Sequence, residues 1–129
     1  MYAGNYNHQS GQYRNGYTAS RRLHVAYIPY DKVIGLSKIN RLVQYYAKRP
    51  QVQERLTMQI SSAMKEALRH NDVGVVIEAD HLCVASRGIK DTNSRTVTAS
   101  YSGQFEDQAI KQEFLSHIHD TNIIYNGAH

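Results

Sequence analysis

The chain predicts an α+β domain built on antiparallel strands, and three observations carry that prediction. An alternating apolar run from Val73 to Cys83 and a β-branched run from Arg95 to Tyr101 are joined by about ten mostly polar residues, too short a link for a parallel crossover. Two stretches with apolar residues at helical spacing, 38–47 and about 50–69, precede that pair. A short alternating run at Leu23–Pro29 opens the folded part, and a last helical pattern at Phe105–Ile118 closes it. The expected order is strand, two helices, two strands, helix.

Composition bounds the possibilities further. A length of 129 residues with 41% hydrophobic and 20% charged residues suits one soluble domain. No apolar run approaches the roughly 20 residues that span a bilayer, and the first residues lack the basic and apolar sections of a signal peptide. The expectation is a cytoplasmic protein with no membrane partner. Its one cysteine excludes an internal disulfide and fits a reducing compartment. The formal charge of +4 favours an anionic partner, which phosphate on a small molecule satisfies as well as nucleic acid does. Nucleic acid is not the expected partner.

Residues 1–22 contain no Leu, Ile, Val or Phe and carry four tyrosines, Tyr2, Tyr6, Tyr13 and Tyr17. Such a stretch buries too little apolar surface to offset its ordering entropy, so it reads as a disordered or atypical arm. Leu23–Pro29 follows as a strand, and Pro29–Lys32 turns the chain. Ser37 is placed to cap a helix whose buried stripe is Ile39, Leu42, Val43 and Tyr46. Pro50 ends it and fits the first turn of the next helix, whose core face is Val52, Leu56, Ile60, Ala63, Met64 and Ala67. In the strand beginning at Val73, alternation puts Val75, Ile77, Ala79, His81 and Cys83 on one side. Residues 120–129 read as a tail.

Three groups carry chemistry. His81 and Cys83 are two positions apart on one strand face, which is half of a zinc site or, equally in type, a buried thiol beside a hydrogen-bonded imidazole. Lys38 and Arg41 sit in the opening turns of a helix, where cations oppose the dipole unless an anion binds there; the alternative is a solvated basic turn. Arg87 joins that cluster if the central strand ends near it. Gln53 and Glu54 lie in the first turn of the second helix, where Glu favours the dipole and the pair also matches the amide edge of a purine.

The segments HVAYIP, VIGLSKINRLVQYYAKRPQVQERLT and HLCVASRGIKD resemble GTP cyclohydrolase I, from about His24 to His119. The resemblance implies a tunnelling fold over residues 23–119, with antiparallel strands, two helices between the strand pairs, and assembly into rings. It implies zinc-dependent hydrolytic opening of the imidazole ring of GTP, with formate release to give 7,8-dihydroneopterin triphosphate, at a site lying between subunits. Cys83 is then a zinc ligand and His81 an acid-base catalyst. Ser37, Lys38, Arg41 and Arg87 hold the triphosphate, while Gln53 and Glu54 hold the guanine edge.

One departure stands beside the match. The family carries a Cys-Glu-His-His strand upstream of HVAYIP that supplies two more zinc ligands, and residues 1–22 here contain only His8 and no cysteine. His8 and His24 are the available substitutes, neither at the family's spacing. Two expectations follow: a GTP cyclohydrolase I completed by another polypeptide, or a non-catalytic GTP- or pterin-binding or assembly relative that has lost two zinc ligands.

Overall fold

Alternation along one strand decides how the layers stack. The computed structural model describes the backbone of residues 1–9, 17–48, 52–83 and 92–123, and side chains within residues 1–4, 21–48, 52–79 and 95–118. Strands β1 (Tyr2–Gln9), β2 (Tyr17–Tyr27), β3 (Val73–Cys83) and β4 (Thr92–Tyr101) form one antiparallel sheet in the order β1-β2-β3-β4. Helices α1 (Leu36–Ala47) and α2 (Gln53–Leu68) lie between β2 and β3 in sequence, and α3 (Gln108–Ile123) follows a 3₁₀ turn at Gly103–Glu106.

On β3, odd positions face one helix layer and even positions the other. Val73, Val75 and Ile77 join Leu23, Val25 and Tyr27 of β2 against Ile39 and Val43 of α1 and Leu56, Ile60 and Met64 of α2. Val76 and Ala26 meet Phe105, Phe114 and Ile118 on the opposite face. Phe105 and Phe114 pack edge to face with centroids 5.7 Å apart. They cross the sheet at Gly74, where a Cβ would stand 2.9 Å from Phe105 Cδ1 and 3.0 Å from Phe114 Cε2. Two cores thus share the middle strands, and the class is α+β.

Several boundaries differ from the sequence expectation. Strand β2 starts at Tyr17, before the expected Leu23, because residues 17–22 pair with β3, and residues 20–22 of them pair with β1 as well. Ser37 is not the cap of α1: Gly35 is, with its carbonyl accepting from the amides of Lys38 at 3.0 Å and Ile39 at 3.2 Å. A glycine cap costs only a few tenths of a kcal/mol relative to serine, so the turn set by the preceding chain prevails. The Tyr27 hydroxyl fixes that turn, accepting from the Ile34 amide at 3.1 Å and donating to its carbonyl at 3.3 Å. Helix α2 starts at Gln53, with Val52 in the cap position, and Pro50 lies outside the described residues. The last helix starts at Gln108, because Phe105 belongs to the 3₁₀ turn, and it runs to Ile123.

The polar end of the domain is held by one carboxylate. Asp72 accepts from the Tyr30 hydroxyl at 2.7 Å and the Gln104 amide at 2.8 Å, tying the exit of β2 to the turn after β4. Gly103 makes this approach possible: its φ is +59°, and a Cβ would fall 2.0 Å from Asp72 Oδ1. Burial pushes the Asp72 carboxyl up, but the hydrogen bonds from Tyr30 and Gln104 and the nearby His70 outweigh it and hold it below its ordinary value.

Candidate functional site

The first turn of α2 is fastened to the sheet by a side chain that the sequence marks for ligand recognition. Gln53 Nε2 donates to the Ile77 carbonyl at 3.0 Å, the Thr96 carbonyl at 3.3 Å and Thr98 Oγ1 at 3.3 Å. The Thr57 hydroxyl extends the contact, donating to the Gln53 carbonyl at 2.9 Å and lying 2.7 Å from Thr98 Oγ1. The amide nitrogen of Gln53 is therefore engaged by protein, and Oε1 takes no part in these three contacts. Glu54, next to it, is exposed. Its carboxylate also sits where the helix dipole favours negative charge.

His81 and Cys83 lie further along the same strand. Ile77 is four residues from His81, about 13 Å of extended chain. Backbone alternation puts positions 81 and 83 on the face that Ile77 turns to α2. Their register neighbours are Ala19 and Ser94 for His81, and Tyr17 and Thr92 for Cys83. None of these four residue types is a usual zinc ligand. Arg87 lies outside the described residues.

The basic helix terminus is elsewhere. Ser37, Lys38 and Arg41 are all exposed in the first turns of α1. Lys38 lines a groove of about 690 Å³ between α1 and α2, together with Glu66 and Ala67 near the C-terminal end of α2 and Arg55 near its other end. Gln53 and Leu68 mark the two ends of α2, about 22 Å apart at helical rise. One chain therefore brings Gln53 and Glu54 toward the His81–Cys83 strand and leaves Ser37, Lys38 and Arg41 near the opposite end of the helix pair.

A charged cluster that the sequence did not announce occupies the other face of the sheet. Glu78 Oε2 accepts from Arg22 Nη2 at 2.8 Å, Arg22 Nε at 3.2 Å and Arg95 Nη2 at 2.7 Å. His24 Nε2 stands 3.8 Å from Glu78 Oε1 and is buried without a hydrogen-bond partner. Burial pushes the Glu78 carboxyl up, but the Arg22 hydrogen bonds and the charges of Arg95, His24 and Arg22 hold it below its ordinary value. Burial lowers the His24 imidazole; Glu78 opposes that shift, and Arg22 and Arg95 add to it. The available signal was the break that Glu78 makes in the even positions of β3 after Gly74 and Val76.

His24 is also ruled out as a stand-in ligand beside Cys83. It pairs with Val76, seven residues from Cys83, and takes the opposite parity. Position 8 pairs with Arg21 on the outer strand. Among the described residues, no group of three or more His, Cys, Asp or Glu side chains could hold a metal ion. No helix of the described residues is long and apolar enough to cross a membrane.

The fold and the placement of these residues define an antiparallel α+β domain whose polar, ligand-suited residues gather at opposite ends of one helix pair. The chain belongs to the GTP cyclohydrolase I family, whose sequence profile matches residues 18–119. It is 62% identical over 97 residues to a GTP cyclohydrolase 1 of Flavobacterium johnsoniae, covering 75% of this chain and 44% of that protein. It is 54% identical over 100 residues to a GTP cyclohydrolase 1 of Haemophilus influenzae, covering 77% and 46% respectively. A third relative, from Gloeobacter violaceus, is 56% identical over 99 residues, covering 76% and 46%. The chain thus spans less than half the length of these relatives.

Proposed function

We propose that this chain provides the GTP-recognising part of a GTP cyclohydrolase I, with residues 23–119 as its tunnelling-fold domain. The observation that carries the reading is the engagement of the Gln53 amide nitrogen by the sheet, which leaves Gln53 Oε1 and the carboxylate of the exposed Glu54 as the two acceptors for a ligand. Guanine presents N1–H and an exocyclic N2 amine on one edge, and Gln53 Oε1 with the Glu54 carboxylate are the complement of those donors. Adenine presents an acceptor at N1 and leaves one of the two without a partner. An unmatched polar group is what separates close analogues most strongly.

In this reading Ser37, Lys38, Arg41 and Arg87 hold the triphosphate by charge and by the free amides of the helix N-terminus. The separation of the two groups along α2 supports a site shared between copies, with one chain's α1 terminus meeting another's His81–Cys83 strand in a ring. His81 is the acid-base group at the purine five-membered ring, and formate and 7,8-dihydroneopterin triphosphate are the products, as a step toward pterins such as tetrahydrofolate.

Zinc enters this reading through Cys83, whose thiolate is one ligand. The sequence holds one cysteine, and residues 1–22 hold only one histidine, His8, so in this reading a complementing polypeptide supplies the remaining ligands of a three-ligand set. The same composition supports a second reading, a relative that binds GTP or a pterin without turning it over.

Formate release from GTP by the purified chain with added zinc separates the two. Release that is lost in His81→Ala supports the enzyme. GTP binding without release supports the binding relative, and absence of both refutes the proposal.

A further inference from the structure

The even face of β3 changes character at Glu78. Phe105, Phe114 and Ile118 cover Gly74 and Val76, and the next even position is the charged cluster. Beyond it the paired segments are 17–21 on β2, 79–83 on β3 and 92–96 on β4. Residues 17–21 read Tyr-Thr-Ala-Ser-Arg and residues 92–96 read Thr-Asn-Ser-Arg-Thr, polar at nearly every position. Strands that are polar on both faces specify their register weakly.

The cluster supplies the missing specification. Arg22 lies directly opposite Glu78 on β2, and Arg95 lies opposite Asp80 on β4, one diagonal step away. Both guanidinium groups close on the same carboxylate oxygen, while His24 faces the other. A slip of one residue in either neighbour would carry its arginine to the opposite face and break the contact. The carboxylate therefore selects one alignment of three strands at once. Its burial, with only 9% of the residue exposed, makes a misaligned and unpaired Glu78 costly.

We propose that Glu78 is a positioning residue, and that its clamp on Arg22 and Arg95 fixes the alignment of the strand end bearing His81 and Cys83. The clamp itself stands on the geometry above. Its consequence for catalysis or ligand binding rests on the function proposed in the preceding section.

The test reads the strand end directly, without GTP. Amide hydrogen exchange in the full chain is compared between wild type, Glu78→Gln and the milder Arg95→Ala, and Cys83 alkylation is followed in parallel because no other thiol interferes. Removing a charge-assisted hydrogen bond should speed exchange across residues 79–83 by about tenfold or more in Glu78→Gln, with residues 73–77 nearly unchanged. Cys83 alkylation should accelerate with it, and Arg95→Ala should loosen residues 92–95 and 79–83 together. The exchanged pair Arg22→Glu with Glu78→Arg should recover part of the protection. Exchange that rises equally at 73–77 and 79–83 would mean general destabilisation and would overturn the proposal, as would no change at 79–83. Should Glu78→Gln not fold, Arg95→Ala decides alone, since its side chain is 57% exposed and its loss leaves no cavity.

Discussion

Replacing Gln53 by its isostere Glu reverses the polarity of the contact that fastens α2 to the sheet. In the wild type Nε2 donates to two carbonyls and one hydroxyl within 3.0 to 3.3 Å. Gln53→Ala removes those bonds in a half-buried setting and should cost about 1–1.5 kcal/mol, the net worth of one to two such bonds. Gln53→Glu also points carboxylate oxygens at the Ile77 and Thr96 carbonyls. Leaving acceptors facing acceptors costs about 1–3 kcal/mol, and a new negative charge at the helix N-terminus returns about 0.3–1 kcal/mol. Together with the lost bonds the expected sum is about 1–4 kcal/mol, centred near 2.5, so the closer mimic should be the less stable variant. Urea unfolding followed by far-UV circular dichroism measures both differences. If Gln53→Glu proves as stable as wild type, or more stable than Gln53→Ala, the amide is not bound through its nitrogen and the acceptor pair inferred from it is wrong.

Other expectations follow from the same geometry. Gly103→Ala forces a positive φ on a residue with a Cβ and drives that carbon into Asp72 Oδ1, so it should cost about 2–3 kcal/mol in the same unfolding assay. Gly74→Ala pushes on Phe105 and Phe114 in a closed core and should cost about 1–3 kcal/mol, with perturbed aromatic proton shifts. His24 is held below its ordinary value of 6.5 in the fold, so between that lowered value and 6.5 the unfolded chain binds more protons. Stability should therefore fall as pH drops below about 6.5, and His24→Gln should flatten that part of the profile. Glu78 and Asp72 are also lowered, from 4.5 and 3.8, and add a second loss as pH falls through those values toward their folded ones. A stability curve flat from pH 7 to 3 would contradict both assignments.

The helices and the central strands were legible because their patterns are redundant. Ile39 and Val43 in α1, and Leu56, Ile60 and Met64 in α2, repeat at helical spacing and all enter one core. Val73, Val75 and Ile77 do the same at strand spacing. Strand β1 and the first half of β2 carry no such pattern. Their order comes from backbone pairing along an existing sheet, helped by Tyr2 meeting Tyr27 edge to face at 5.5 Å. The cap of α1 was misplaced because local preference favoured Ser37, whereas the Tyr27 hydroxyl fixes the turn so that the cap falls two residues earlier, at Gly35. The Glu78 cluster was illegible for another reason. Its arginines are 56 and 17 residues away in sequence, and only the register of the sheet brings them to one carboxylate. The engaged amide of Gln53 was hidden in the same way, since its acceptors lie on β3 and β4.

Titration of the purified chain with GTP, and with ATP as the control, tests the central claim most directly, because it applies whether or not the chain turns its ligand over. GTP should bind, ATP should bind far more weakly, and Glu54→Ala should remove the difference between them by abolishing the guanine contact. Equal binding of the two nucleotides, or binding of neither, would contradict a guanine site at the first turn of α2.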